Sequence, residues 1–167
     1  MNLNYYFIKT PIGKLTAVEK DETVVYIGLP NSNINEIKKW CEKNLDYSDL
    51  NFIENPKTAL KTQIDEYFAK ERINFNVDYE LFTTKFRERA LNEVQKIPYG
   101  KTKSYSEIAD QIDSPKAVRA VGSANSTNTL PIIIPCHRVI NQNGKLGGYG
   151  GGLDMKIKLL ELEGWNG

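Results

Sequence analysis

The chain is poor in the residues that build metal sites and disulfide frameworks, since its 167 residues include one histidine and two cysteines. A structural zinc site uses about four nitrogen, sulfur or oxygen ligands, so this supply predicts no metal site. Cys41 and Cys136 could form one disulfide at most. Because no basic segment near the N-terminus leads into an apolar run, we expect no export signal and two free thiols in a reducing cytoplasm.

Long hydrophobic runs and a strong net charge are also absent. No stretch approaches the roughly 20 apolar residues of a membrane-spanning helix, so the sequence predicts no membrane partner. The 22 basic and 21 acidic residues leave a net charge of +1, which by itself indicates no nucleic-acid partner. The charge is unevenly divided, because residues 1–81 carry −3 and residues 82–167 carry +4. This mild asymmetry favours an anionic partner for the second half.

Residues 1–81 have the pattern of a small α+β domain. Segments rich in β-branched and aromatic residues predict an antiparallel sheet, with strands at residues 5–9, 14–18 and 24–29. Amphipathic segments predict helices at residues 33–44 and 56–69. Asn55 is the expected N-cap of the second helix, with Pro56 as its first residue. The pattern weakens between residues 74 and 81, so we predict a domain boundary near Leu81 and a second domain at residues 82–167.

The second domain is mostly helical by pattern. An apolar stripe predicts a helix over residues 86–97, and Pro98 and Gly100 then end it. Ser104 and Glu107, three residues apart, form a capping box that is expected to start a short helix ending near residue 112.

A further helix is expected to start with Ser114 as N-cap and Pro115 as its first residue, giving a pair that resembles a helix-turn-helix. Small side chains keep one side of this helix thin, and Arg119 projects from that side, beside Ala117, Ala120 and Ser123. A thin helix can approach a DNA groove closely. Alanine is also a good helix former, so an ordinary helical hairpin fits the same residues and both interpretations stay open.

The apolar segment at residues 130–140 carries Cys136 and the single histidine, His137. A thiol becomes a good nucleophile when it loses its proton, and a nearby imidazole can accept that proton. Neighbouring side chains on a strand point to opposite faces, so direct contact would require a turn or a bridging water. A buried structural cysteine beside a hydrogen-bonded histidine is the alternative interpretation.

A glycine-rich stretch, Gly-Gly-Tyr-Gly-Gly-Gly at residues 147–152, could be a phosphate loop, but it lacks the Lys-Ser/Thr ending that nucleotide binding requires. Cys41 follows Trp40 in an amphipathic segment, which predicts a packed core thiol without a functional role.

Four segments together resemble the O6-alkylguanine-DNA alkyltransferases: Ile-Pro-Tyr-Gly-Lys-Thr-Lys-Ser-Tyr (97–105), Ser-Pro-Lys-Ala-Val-Arg-Ala-Val-Gly (114–122), Ile-Pro-Cys-His-Arg-Val-Ile (134–140) and Gly-Gly-Tyr-Gly-Gly-Gly-Leu (147–153). The resemblance covers residues 83–164 nearly continuously, whereas the first half matches in length and strand content only. It implies a ribonuclease-H-like first domain and a winged-helix-like, DNA-binding second domain. It also implies a monomer that needs no cofactor.

The activity that the resemblance implies is DNA repair by direct reversal. An O6-alkylated guanine in double-stranded DNA, and also O4-methylthymine, would be flipped out and its alkyl group moved irreversibly to Cys136. His137 matches the base that acts through a water, and Glu163 matches the acid that orients it. Asn128 matches an asparagine that braces the backbone before the active-site turn.

The resemblance also assigns residues that contact DNA. Tyr105 matches the tyrosine that rotates the nucleotide, and Arg119 matches the arginine that fills the vacated place in the base stack. The full expected DNA-binding set is Tyr105, Ser106, Ser114, Ala117, Arg119, Ala120 and Ser123. The base pocket is expected to comprise Tyr105, Val139, Tyr149 and Gly150.

Asn125 and Ser126 depart from the family pattern, in which bulkier or basic residues are common. A more polar pocket edge and one fewer DNA contact are therefore expected, which bears on large O6 adducts such as benzyl. A DNA-lesion binder whose Cys136 only senses alkylation remains the alternative function.

Overall fold

The computed structural model describes residues 2–47 and 49–165. The chain divides into two compact units, Met1–Phe82 and Thr83–Gly167. The first unit is α+β and the second is mostly helical, which confirms the predicted fold class. In the described ranges, no helix combines the length and apolarity needed to cross a membrane, and no three His, Cys, Asp or Glu side chains lie together as a metal site would require.

The first unit is built on one four-stranded sheet. Its elements are β1 (Leu3–Thr10), β2 (Gly13–Lys20), β3 (Thr23–Gly28), α1 (Ile34–Leu45), β4 (Asn51–Phe52) and α2 (Ala59–Phe68). The strand order is β3-β2-β1-β4, with β4 parallel to β1 and the other pairs antiparallel. The three predicted strands are present, whereas β4 has two exposed residues and is too short to leave a periodic signal.

The core of the first unit joins strand and helix side chains. Buried residues from β1, β2, β3 and α1 form one cluster, namely Leu3, Val18, Val25, Ile37 and Cys41. Cys41 is fully buried, and burial raises the pKa of its thiol to about 11, so it stays protonated at neutral pH.

Helix α2 begins three residues later than expected. The predicted cap at Asn55 is wrong, because Thr58 is the N-cap and its hydroxyl accepts a hydrogen bond from the Lys61 N–H at 3.2 Å. The same hydroxyl lies 2.7 Å from the Tyr6 hydroxyl on β1, a tertiary contact that is not visible in the local sequence.

The second unit contains α3 (Lys85–Gln95), β5 (Lys103–Ser104), α4 (Tyr105–Gln111), α5 (Val118–Ser126), a 3₁₀ turn (Cys136–Arg138), β6 (Val139–Ile140) and α6 (Leu153–Leu162). We call Cys136–Arg138 the cysteine turn. Strands β5 and β6 pair in parallel and place Lys103 opposite Val139. The start of α4 therefore lies beside the end of the cysteine turn.

The capping box at the start of α4 is confirmed, since Ser104 and Glu107 exchange both hydrogen bonds. The expected cap at Ser114 is wrong, because α5 begins at Val118 with Ala117 as an N-cap that lacks a side-chain hydrogen bond. The Ser114 carbonyl instead accepts from the Ala117 N–H at 2.9 Å, and its hydroxyl donates to the Ile112 carbonyl at 3.4 Å. A separate turn thus precedes the helix.

Candidate active site

Cys136 begins the cysteine turn, directly after the buried segment 130–135. Its N–H donates to the Ile134 carbonyl at 2.7 Å, and the residue is 4% exposed. Ile132 in the preceding segment has φ +74°, a left-handed conformation that is strained for a β-branched side chain. Such strain persists only where surrounding structure enforces it, and it clusters at functional sites. The local fold therefore holds this thiol in a tightly determined position.

His137 and Glu163 are brought together in the interior of the second unit. His137 Nε2 lies 2.8 Å from Glu163 Oε2, and both side chains are fully buried. An ionised carboxylate can only accept, so Nε2 carries the proton and Nδ1 is the basic nitrogen. Nδ1 has no hydrogen-bond partner among the described residues, which leaves it able to accept a proton.

Arg138 binds both oxygens of the same carboxylate. Its Nε donates to Glu163 Oε1 at 2.8 Å and its Nη2 donates to Oε2 at 2.9 Å. Its Nη1 donates to the Ile97 carbonyl at 2.7 Å. Two parallel bonds from a guanidinium fix the plane of a carboxylate, so Arg138 orients the group that orients His137.

The electrostatics of this cluster determine its protonation states. Burial acts to raise the pKa of Glu163, but hydrogen bonds and charge from His137 and Arg138 outweigh it and lower that pKa well below the ordinary 4.5. Burial lowers the pKa of His137, with the neighbouring cations acting in the same direction against Glu163. At neutral pH the cluster therefore contains a carboxylate and a neutral imidazole.

Several groups set the acidity of the thiol. Burial raises the pKa of Cys136, while the Asn128 side chain and the charge of Lys156 oppose the rise. Asn128 also braces the segment before the cysteine turn, because its Nδ2 donates to the Ile134 carbonyl and its Oδ1 accepts from the Leu130 N–H, both at 3.0 Å. Because the pKa of the thiol is raised, Cys136 requires a base that removes its proton, and His137 is the adjacent residue in the sequence.

Lys156 on α6 is a buried cation that sequence reasoning missed. Its ammonium donates to the carbonyls of Val139 at 2.6 Å and Gly148 at 3.2 Å, and also to that of Leu146. Burial lowers its pKa to about 8, against an opposing effect from Cys136. Lys156 thus ties the end of the cysteine turn to the glycine-rich loop.

A cavity of about 310 Å³ opens between α5 and the glycine-rich loop. Three of the four predicted pocket residues line it, namely Tyr105, Tyr149 and Gly150. Val139 is fully buried and is not among the lining residues, and its carbonyl is bonded to Lys156. Asn125, Ser126, Gly122 and Gly148 complete the lining.

The residues predicted to contact DNA lie on or near α4 and α5. Arg119 and Ala120 are exposed, while Tyr105, Ser106, Ser114, Ala117 and Ser123 are partly exposed. Ser123 is engaged within the unit, since its hydroxyl accepts from Arg87 Nη2 at 3.1 Å. Ser106 donates to the Gln142 side chain at 3.2 Å.

The sequence contains a signal that could have identified Arg138 and Lys156 as buried charges. Lys156, Leu159, Leu160 and Glu163 recur at helical spacing on the face of α6 that is buried. Two charged residues on an otherwise apolar helical stripe indicate buried ion pairs or hydrogen bonds. Arg138 lies within a run of ten buried residues, 130–139, where a charge equally demands a partner.

Comparisons with known proteins agree along the whole chain. A family model described as 6-O-methylguanine DNA methyltransferase, DNA binding domain, matches residues 85–165, and one described as the ribonuclease-like domain of the same family matches residues 3–81. A methylated-DNA–protein-cysteine methyltransferase of Mycolicibacterium paratuberculosis is 39% identical over 163 residues, covering 96% of this chain and 92% of the relative.

Solved structures give the same result. The O6-methylguanine methyltransferase of Mycobacterium tuberculosis superposes with a TM-score of 0.82 at 39% identity, covering 96% of this chain and 92% of that one. A structure of the Mycobacterium tuberculosis protein in complex with DNA superposes with a TM-score of 0.81 at the same identity and coverage.

Proposed function

Because the chain belongs to the 6-O-methylguanine DNA methyltransferase family, whose members transfer a methyl group from DNA to a protein cysteine, we propose that Cys136 is the acceptor. The substrate is an O6-alkylated guanine in double-stranded DNA, and the reaction repairs the base directly. The observation that carries this assignment is the hydrogen-bonded chain from Arg138 through Glu163 to His137, whose Nδ1 has no hydrogen-bond partner among the described residues and which follows Cys136 directly in the cysteine turn.

The proposed step balances without a cofactor. His137 Nδ1 accepts the thiol proton through a bridging water, and the sulfur attacks the alkyl carbon. The S–C bond forms as the O6–C bond breaks, and the electrons of the broken bond stay on the nucleobase. The thiol proton held by His137 then passes to the nucleobase, so guanine leaves with its N1–H restored.

The roles of the neighbours follow from their bonds. Glu163 keeps the proton on His137 Nε2 and stabilises the imidazolium that forms, as the acid of a hydrolytic triad does. Arg138 and Asn128 position Glu163 and the cysteine turn. The product is a thioether, which water does not hydrolyse, so each molecule reacts once.

Recognition of the lesion requires the base to leave the duplex. Extruding a base costs a few kcal/mol, and a planar guanidinium inserted into the stack can offset that cost. Arg119 on α5 is exposed and therefore available for this role, and Tyr105, which lines the cavity, would assist the rotation of the nucleotide. The small side chains Ala117, Ala120 and Ser123 allow close approach to a groove.

The proposal extends to the working form of the protein. All residues of the candidate site lie within the second unit of one chain, which supports action as a monomer. A free thiol is required, which supports a reducing compartment such as the cytoplasm. O4-methylthymine is included as a second substrate because its alkyl carbon is chemically equivalent.

The direct test is the intact mass of the protein after incubation with a duplex that contains one O6-methylguanine. Methyl transfer adds about 14 Da, and peptide mapping should place the gain stoichiometrically on Cys136. Cys136→Ala should bind the lesion duplex without any mass gain. Cys41→Ala is the matched control, because Cys41 lies in the core of the other unit, and it should react as the parent does.

Two results would contradict the proposal. Transfer that survives in Cys136→Ala would place the acceptor elsewhere. Tight lesion binding by the parent chain without any mass gain would favour the alternative function, a lesion-recognition protein.

A further inference from the structure

A tight turn at residues 98–101 follows α3 and contacts the end of α6. A backbone hydrogen bond of 3.0 Å closes it. The Tyr99 hydroxyl in this turn donates to the carbonyl of Leu162, the last residue of α6, at 3.2 Å. Carbonyls in the last turn of a helix have no partner within the helix, so this bond satisfies one of them. Because Glu163 follows Leu162 directly, the bond also fixes the backbone from which the Glu163 side chain extends.

The Tyr99 ring lies beside Arg138, the cationic partner of Glu163. The guanidinium carbon is 5.8 Å from the centroid of the ring, within the range of a cation–π contact. Burial raises the pKa of the Tyr99 phenol, the charge of Glu163 raises it further, and the charge of Arg138 opposes the rise. Both members of the ion pair therefore lie close enough to Tyr99 to act on it electrostatically.

Gly100, the next residue of the turn, contacts the carboxylate itself. Its N–H donates to Glu163 Oε1 in a long hydrogen bond of 3.5 Å. Its φ is +79°, in the left-handed region that favours glycine, and a Cβ at this position would lie 3.1 Å from the Glu163 carbonyl oxygen. The turn therefore approaches Glu163 more closely than a residue with a side chain would allow.

The proposed reaction depends on the position of the Glu163 carboxylate. Glu163 must stay within hydrogen-bond distance of His137 Nε2 while the imidazole gains and loses a proton. Arg138 fixes the plane of the carboxylate, but a long arginine side chain has many rotamers and needs contacts that select one of them. The Tyr99 ring supplies such a contact. Small displacements of a catalytic group can slow a reaction strongly even when the substituted residue lies away from the reacting atoms.

We propose that Tyr99 is a positioning residue for methyl transfer, which holds Arg138 and Glu163 where Glu163 can orient His137. This inference rests on the proposed function. Tyr99 acts through Glu163, so its contribution to the transfer rate exists only while the Glu163 carboxylate is present. A tyrosine that only stabilised the fold would contribute equally with and without that carboxylate.

The test is a double-mutant cycle that combines Tyr99→Leu with Glu163→Gln. Single-turnover transfer rates are measured at saturating concentrations of a duplex that contains one O6-methylguanine. Tyr99→Leu removes both the ring and the hydroxyl, and in the parent chain it should slow transfer about tenfold. Tyr99→Phe keeps the ring beside Arg138, so its rate should stay within about threefold of the parent rate. In the Glu163→Gln chain, Tyr99→Leu should slow transfer less than about twofold further, because residues that act as a unit have non-additive effects.

Tyr79→Leu is the matched control, since Tyr79 is a tyrosine of the first unit that is 37% exposed, and it should keep the parent rate. Thermal denaturation verifies folding, and Tyr99→Met replaces the leucine variant if the latter does not fold. A parent-like rate in the Tyr99→Leu variant would overturn the inference. An equal loss in the parent and Glu163→Gln chains would also overturn it, because Tyr99 would then act independently of Glu163. Absence of transfer by the parent chain would instead overturn the proposed function.

Discussion

Each unit of the protein buries a glutamate, and the pKa values of the two carboxyl groups are shifted in opposite directions. In the first unit, Glu19 accepts a hydrogen bond from the Tyr6 hydroxyl, and burial raises its pKa above 4.5. In the second unit, Glu163 is held by His137 and Arg138, and its pKa falls well below 4.5. Glu19 meets a neutral donor, whereas Glu163 meets a guanidinium and an imidazole.

The difference matches what the chemistry proposed for the second unit requires. A buried carboxylate without a cationic partner tends towards its neutral form, which cannot orient and stabilise an imidazolium. Two bonds from Arg138 keep Glu163 ionised where burial alone would protonate it. The first unit needs only a satisfied polar contact between β1, β2 and the start of α2.

Replacing each glutamate by glutamine tests whether the two buried carboxylates differ in their importance for methyl transfer. Glu163→Gln removes the charge that we propose stabilises the imidazolium of His137, so the single-turnover transfer rate should fall about 100-fold or more. Glu19→Gln is the matched control. It should leave the transfer rate within about twofold of the parent rate, because Glu19 lies in the first unit and has no role in the proposed reaction. Rapid-quench measurement of methyl transfer gives both values. A Glu163→Gln rate close to the parent rate would show that the carboxylate charge is not used.

The stability of the second unit should depend on Arg138, the cationic partner of Glu163. Arg138→Met leaves the buried Glu163 carboxylate without its guanidinium partner, which should cost about 3–5 kcal/mol in the free energy of unfolding. Lys96→Met removes an ion pair with Glu93 in which the lysine is 69% exposed, and it should cost less than about 1 kcal/mol. Urea unfolding of the two variants provides the measurement, and equal losses would contradict a special role for the buried pair.

The sequence predicts the parts of this architecture that local patterns encode. The three strand segments of the first unit and the Ser104 capping box are short-range signals, and the structure contains both features. The Ser114 cap was predicted wrongly because its hydroxyl bonds backwards to Ile112.

The remaining features depend on contacts between distant positions. Arg138 meets Glu163 across 25 positions, and Asn125 meets Cys136 across 11. Nothing local to either residue specifies its partner. The role of Glu163 as the partner of His137 is predicted by the family resemblance alone, because no spacing rule links the two residues.

Lys156 is a second buried cation near the thiol, and it adds to the contrast between the two glutamates. Among the described contacts, no cation is bonded to Glu19 in the first unit. Lys156→Met removes the donor shared by three carbonyls and a charge that favours the thiolate, so transfer at pH 7 should slow about tenfold. With a pKa of about 8, Lys156 is charged below that pH and neutral above it. The deficit of the variant should therefore be greatest below pH 8 and shrink by pH 9.5. A deficit that stays constant with pH would mean that only the packing of Lys156 matters.

The smallest expected effect is the pH dependence of stability, where the two glutamates should act with opposite signs. The pKa of Glu19 is raised on folding, so its stabilisation is complete below pH 4.5 and is lost as pH rises through the folded-state pKa. The pKa of Glu163 is lowered on folding, so its stabilisation is complete above pH 4.5 and is lost as pH falls. Glu19→Gln should flatten the stability curve above pH 4.5 by about 1 kcal/mol or less, and Glu163→Gln should flatten it below pH 4.5. Urea midpoints between pH 3 and 8 measure both slopes. A loss of acid sensitivity in Glu19→Gln would reverse the assignment, because it would make Glu19 the carboxylate that folding keeps ionised.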